Sequence, residues 1–218
     1  MNVSNKTKIR VAKSLCFISI FLILLSITSG ALIPNHNHAE NVGYKLSILN
    51  TKEDICDIDV FFIGKSHMEN GVSPMKIYKD NGITTYNLSS AAQPITGAKY
   101  LVEEIFNKGG APQVIMLDAS SMFNPISEAD VRYITDNVKR DTNCLNYIYD
   151  YIFESTRNEN SSHYALLEKY LSLIFPIYQY HSRWDKLSVD SFDFSDNNQY
   201  FLQGYTLMSS MQQCDCAG

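Results

Sequence analysis

The chain has 218 residues, 45% of them hydrophobic, and a formal net charge of −5. That is enough apolar material for one sizeable core and not obviously for two. Lys6, Lys8, Arg10 and Lys13 stand among the first 13 residues with no acid beside them, so the remainder carries about −9, which argues against a nucleic-acid partner.

Residues 1–13 read as a basic cytoplasmic tail and residues 14–33 as a signal anchor. Leu15 to Ile33 contain no charged residue, and about 18 or more such residues can cross a bilayer. The basic flank stays inside, which places the C-terminal part outside the cell membrane. Ser29-Gly30-Ala31 is a small-x-small pattern, so cleavage after Ala31 and release is the competing reading. Cys16 lies at the wrong end of the run for a lipoprotein site. Residues 34–54 are mostly polar and read as a linker, with His36 and His38 solvated within it rather than holding a metal. Cys56, Cys144, Cys214 and Cys216 follow. A disulfide is permitted outside the membrane, but no pairing is specified, and Cys214-Asp215-Cys216 lacks the partner pair that zinc would need.

The globular part, residues 55–218, opens on "DVFFIGKSHMENG". Gly64-Lys65-Ser66 has the letters of a phosphate loop, but the first glycine of that loop would fall at position 59, which is Asp59. Ile58 to Ile63 reads as a first strand, and Val60 to Ile63 within it are apolar and suit burial. Ser66 therefore sits at a strand-to-helix turn. It either caps the helix or presents a hydroxyl beside backbone N–H groups able to hold an oxyanion.

Ser73 to Asp80 reads as a short helix with Pro74 at its first position. "ITTYNL", from Ile83 to Leu88, reads as a second strand. Ile95 to Asn107 has helical apolar spacing and stops at Gly109-Gly110. "QVIML", from Gln113 to Leu117, reads as a third strand closed by Asp118. This β-α-β-α-β order implies a parallel sheet. Sites in such sheets lie beyond the carboxyl ends of the strands, so Ser66, the stretch from Asn87 to Gln93, and Asp118 are expected on one rim. From residue 127 the pattern becomes helical: "SEADVRYITDNVKRD", the tyrosine-rich "CLNYIYDYIFEST", and a long segment interrupted near Pro176. These helices are expected on or beside the sheet. The tail from Ser188 reads as polar and irregular.

Strand-Gly64-Lys65-Ser66-His67, then "NGVSPMKIYKDNGITTYNLSSAAQP", then "VIMLD" resembles the SGNH (GDSL-like) hydrolase superfamily. The likeness is greatest to membrane-anchored, extracytoplasmic bacterial members, and the tract "YHSRW" extends it to residues 55–205. The resemblance implies an α/β fold, a flavodoxin-like three-layer parallel sheet left incomplete, with an N-terminal transmembrane helix and added helices. It implies a serine esterase or O-acyltransferase acting on acyl esters of cell-wall polymer or exopolysaccharide, with no metal and no organic cofactor. Ser66 matches the nucleophile. Ser66, His67, Ser89, Ala91, Gln93 and Asp118 form the expected oxyanion and substrate-binding set, with Gln93 offering a side-chain donor where the family often has glycine. The family's third-motif asparagine is absent, since Asp118-Ala119-Ser120-Ser121 follows the third strand. No Asp-x-x-His, the family's catalytic base motif, occurs anywhere in the sequence. A C-terminally shortened member is therefore expected, either an enzyme or a catalytically incomplete relative that binds glycan or protein.

Overall fold

The computed structural model describes residues 3–34, 45–50, 55–91, 93–120, 126–158, 162–192 and 201–205. His36, His38, Cys214 and Cys216 lie outside them, as do residues 193–200 and 206–218 of the tail. The elements are α1 (Val3–Leu32), β1 (Val60–Ile63), α2 (Ser66–Gly71), α3 (Pro74–Asn81), β2 (Thr85–Asn87), α4 (Ile95–Asn107), β3 (Val114–Leu117), α5 (Glu128–Thr135), α6 (Thr142–Asn158), α7 (His163–Ile174) and α8 (Ile177–Tyr180). Short 3-10 turns cover Ser47–Asn50, His181–Lys186, Val189–Phe192 and Phe201–Gly204. Cys16, Cys56 and Cys144 are free thiols.

The chain divides into two compact units. The first comprises residues 1–35 and 161–195. Thr7–Leu32 within α1 is long and apolar enough to cross a membrane, with a mean hydropathy of 2.4. Arg183 donates to the Leu32 carbonyl at 3.3 Å, and Ala31, Leu32 and Leu173 are buried. Pro176 caps the four-residue α8, so the long helical tract breaks at that proline as its fixed φ requires.

The second unit, residues 36–160 and 196–218, is α/β. Its sheet has three parallel strands in the order β2-β1-β3. Phe61 of β1 pairs with Tyr86 and Ile115, and Ile63 pairs with Leu117. Phe61, Ile63, Tyr86 and Leu88 are fully buried, as expected of a central apolar strand and its neighbour. Val114, Met116 and Leu117 of β3 are about half exposed. Pro74 does occupy the first position of α3, behind Ser73. Helix α4 has the predicted bounds and ends at Gly109, whose φ of 91° suits glycine. Helix α6 packs on α4 and on α5. An Ser127 capping box starts α5, its hydroxyl accepting from Asp130 N–H while Asp130 accepts from Ser127 N–H.

Residues 45–50, within the stretch read as a linker, are largely core. Leu46, Ile48 and Leu49 are buried, and Lys45 is buried with them. "KLSILN" carries its apolar residues too briefly to announce a strand or a helix, so only the packing of the domain assigns them a place.

Candidate functional site

The central strand ends at Ile63 and the chain turns at Gly64. Ile63 is in register with Leu117, so the next residues, Gly64 and Asp118, leave the sheet side by side. A Cβ placed on Gly64 would lie 2.4 Å from the Asp118 Cβ, so only glycine allows the approach. The Asp118 N–H donates to the Ile63 carbonyl at 3.0 Å, and the Lys65 N–H donates to Asp118 Oδ2 at 3.2 Å. Two strand ends are thereby clamped together.

Lys65 precedes α2 in an extended conformation and offers no side-chain cap. The first N–H groups of the helix, at Ser66 and His67, are thus left without a capping side chain. Ser66 is exposed. Its hydroxyl makes no hydrogen bond to another described residue.

His67 turns to the third strand. Its Nε2 lies 2.9 Å from Asp118 Oδ2, with the Asp118 side chain only 7% exposed. The resemblance places His67 in the substrate-binding set. The strand order instead brings a β3 carboxylate within reach, a contact between positions 67 and 118 that no local pattern signals. Burial raises the Asp118 pKa, but hydrogen bonds from the Ser120 N–H, the Lys65 N–H and the Ser120 hydroxyl, with the His67 charge, outweigh it and leave the carboxyl below its usual range.

The loop after β2 is the third contributor. Asn87 is fully buried and donates to the carbonyls of Met68 at 3.1 Å and Glu69 at 3.2 Å, which ties α2 to the end of β2. Its Oδ1 accepts from the Ser89 N–H at 3.0 Å. The Ser90 N–H donates to the Gly64 carbonyl at 2.9 Å. The Ser89 and Ser90 backbone donors are therefore occupied within the fold. What remains is the Gln93 side chain. It is 1% exposed, and neither its Nε2 nor its Oε1 has a partner, a state shared by the buried Ser89 hydroxyl. Ser89, Gln93 and Asp118 lie on segments that follow strand ends, as Ser66 does, and Ala91, in the same loop as Ser89, is exposed.

Beneath the rim lies an ion pair that sequence reading missed. Lys45 Nζ is 2.5 Å from Glu69 Oε1 and donates to the Ser89 carbonyl at 3.1 Å, with both side chains nearly inaccessible. Burial lowers the Lys45 pKa, and the hydrogen bond and charge of Glu69 oppose that shift. Burial also pushes the Tyr133 phenol up, as does the Glu69 charge. Lys45 thus joins α2 to the β2 loop.

His181 and His163, the other described histidines, belong to the first unit, where His181 Nδ1 is 3.1 Å from the Tyr178 carbonyl. Among the described residues no group of three metal-ligating side chains occurs. A cavity of about 360 Å³ lies at the opposite, amino-terminal edge of the sheet, lined by Asp57, Ile58, Thr84 and Thr85. The chemistry-bearing residues are not there. Compared with family models, curated proteins and solved structures, the chain matches none of them.

Proposed function

We propose that the second unit is a serine esterase or O-acyltransferase of the SGNH type, on a flavodoxin-like sheet, working on acyl esters of a cell-surface polysaccharide. The observation that carries the reading is the His67–Asp118 pair, 2.9 Å apart, beside the exposed Ser66. The strand order β2-β1-β3 reverses direction between β1 and β3, and ligands of open α/β sheets bind at such a reversal. Ser66, His67 and Asp118 flank it.

A serine hydroxyl needs a base, and a base needs an orienting group. The sequence lacks the family's Asp-x-x-His, and His67 with Asp118 supplies the same two chemical types from two strand ends. With Nε2–H donating to Asp118, the Nδ1 lone pair of a neutral ring is free to take a proton. In this scheme Ser66 Oγ attacks the ester carbonyl and its proton passes to His67. The Ser66 N–H, at the start of α2, donates to the tetrahedral oxyanion. Collapse breaks the ester C–O bond, and the departing alkoxide takes the proton from His67. Water or a sugar hydroxyl then attacks the acyl-serine and regenerates Ser66. Catalytic hydrogen bonds often close only with substrate bound, which reconciles the scheme with an unengaged Ser66 hydroxyl.

Helix α1 is read as a signal anchor holding this unit on the extracytoplasmic side. Its apolar length supports the anchor, and the basic residues in its first turns, Lys6 to Lys13, support that orientation.

Labelling with a serine-reactive fluorophosphonate tests the proposal. Wild type is labelled, Ser66→Ala is not, and His67→Ala and Asp118→Ala are labelled about 10²–10⁴-fold more slowly. Absence of wild-type labelling, or equal labelling of Ser66→Ala, would favour a second reading. In that reading the free Ser66 hydroxyl marks a non-catalytic relative that binds glycan through the same rim.

A further inference from the structure

The first unit joins the apolar helix α1 to residues 161–195. Lys13 is the last charged residue of α1, and Leu32 stands 19 positions further on. That interval is about 28 Å of helix, close to the roughly 30 Å of a bilayer's hydrocarbon core. The large side chains from Leu15 to Leu24 are exposed, so the protein leaves the body of the span bare. Cover comes at the last turns, where Ser29, Ala31 and Leu32 are buried.

That cover is α8 and the 3-10 turns His181–Lys186 and Val189–Phe192, all three of which pack on α1. Arg183 donates to the Leu32 carbonyl at 3.3 Å, which meets a backbone acceptor that the end of a helix leaves open. Ser188 closes the second 3-10 turn. Its N–H donates to Ser191 Oγ at 3.1 Å, and its carbonyl accepts from the Ser191 N–H at 3.1 Å. Close to hydrocarbon, backbone groups need such internal partners.

The same short segments turn apolar side chains outward. Trp184 is 73% exposed and Val189 is 89% exposed. Tyr178, Leu187 and Phe192 are exposed as well. Val189 and Phe192 stand three apart in one 3-10 turn, a spacing that puts both on the same edge of it. Single apolar side chains on a surface need no explanation, but several gathered on one feature mark an interaction surface.

We propose that residues 177–192 form a collar that seats in the headgroup zone of the membrane leaflet where α1 ends. The inference rests on reading α1 as a membrane span. The span names the partner, because segments packed on Ala31 and Leu32 are held at the boundary between hydrocarbon and headgroups. Tryptophan and tyrosine concentrate at that depth, with the ring body toward the acyl chains and the polar tip toward water. Leu187, Val189 and Phe192 exchange water for the acyl boundary. Asp185 and Lys186, both exposed, put charges of both signs on the first 3-10 turn, so the collar is suited to zwitterionic phospholipid. Seating it fixes the depth and tilt of α1, as interfacial aromatic anchors do. The collar has no part in the chemistry of the Ser66 rim.

The test uses the full chain reconstituted in phosphatidylcholine vesicles. Trp184 is the one tryptophan in the sequence, so its emission reports on the collar without a label. One series of vesicles carries bromine near the glycerol end of the acyl chains, another near the methyl ends. Iodide on both sides of the membrane serves as the aqueous quencher, with N-acetyltryptophanamide as the free reference. Quenching is expected to be strong with bromine near the glycerol end, weaker with bromine near the methyl ends, and weaker with iodide than for the reference. Leu187→Asp and Val189→Asp change exposed side chains and leave the packed core alone. Together they should raise iodide quenching and lower bromine quenching, while the chain still floats with the vesicles through α1. Trp184 quenched by iodide as freely as the reference, in a chain that floats, would overturn the collar and leave the span standing. Protection from iodide without quenching by either brominated lipid would mean that protein covers the patch, which also overturns it. A chain that fails to float would overturn the span and the collar together.

Discussion

His67, in the first turn of α2 after β1, and Asp118, just past the end of β3, meet at 2.9 Å, although 50 residues and a whole second strand separate them in the chain. The contact exists because β3 lies next to β1 rather than next to β2. Everything proposed for the Ser66 rim depends on that neighbour relationship.

The glycine that admits Asp118 should be intolerant of a side chain. At Gly64 an added Cβ would collide with Asp118, whereas at Gly71, in α2, it would meet nothing within 4 Å. Gly64→Ala is expected to destabilise the fold by about 1–3 kcal/mol. Gly71→Ala is expected to be neutral or to stabilise by up to about 1 kcal/mol. Urea titrations of the two variants check the contrast. Equal stabilities would mean that the strand ends are not packed as described.

Acid should weaken the strand-end clamp. The Asp118 pKa lies below its ordinary value of 3.8, so the folded state favours the ionised carboxylate. Such a group contributes stability in full above the unfolded-state pKa of about 3.9 and loses it as pH falls through the lower folded value. The stability gap between wild type and Asp118→Asn is therefore expected to be constant above about pH 5 and to shrink below pH 4. Urea midpoints at pH 7, 4 and 2.5 measure it. A gap that widened on acidification would have the wrong sign.

The Lys45–Glu69 pair should be costly to break from one side. Both groups are buried, and removal of one leaves the other charged and unmatched. Lys45→Met or Glu69→Leu alone is expected to cost about 3–5 kcal/mol, and the double variant to recover much of it. Chemical denaturation of the three variants forms a double-mutant cycle. Additive losses would show that the two groups do not interact.

Asn87 ties α2 to β2 through the Met68 and Glu69 carbonyls. Asn87→Ala leaves those carbonyls without that donor and is expected to cost about 1–3 kcal/mol. Asn87→Asp places acceptor against acceptor and should cost more. Hydrogen exchange locates the damage: amides of α2 lose protection first. Unchanged exchange there would show that α2 is held by other contacts.

Much of the second unit was legible because its signals are local. The apolar spacing from Ile95 to Asn107 matched α4 at both ends. Pro74 announced the start of α3, and each predicted strand contains an observed one, shorter by one to three residues. The strands were trimmed because pairing stops where the neighbouring strand stops, and β2 spans only Thr85–Asn87. The place of "KLSILN" was hidden because a half-turn of apolar residues has no periodicity of its own. The His67–Asp118 and Lys45–Glu69 pairs were hidden because each joins residues whose separation in the chain carries no rule.

Read without coordinates, the residues were sufficient for an apolar N-terminal span, a β-α-β-α-β order, and the expectation that polar groups follow each strand. Those are consequences of backbone periodicity and of where turn residues interrupt it. Tertiary structure alone decided which strand ends touch, which backbone donors of the 87–93 loop are already occupied, and which buried groups lack partners. Such outcomes depend on how distant segments share one limited volume, and no stretch of chain carries that information by itself.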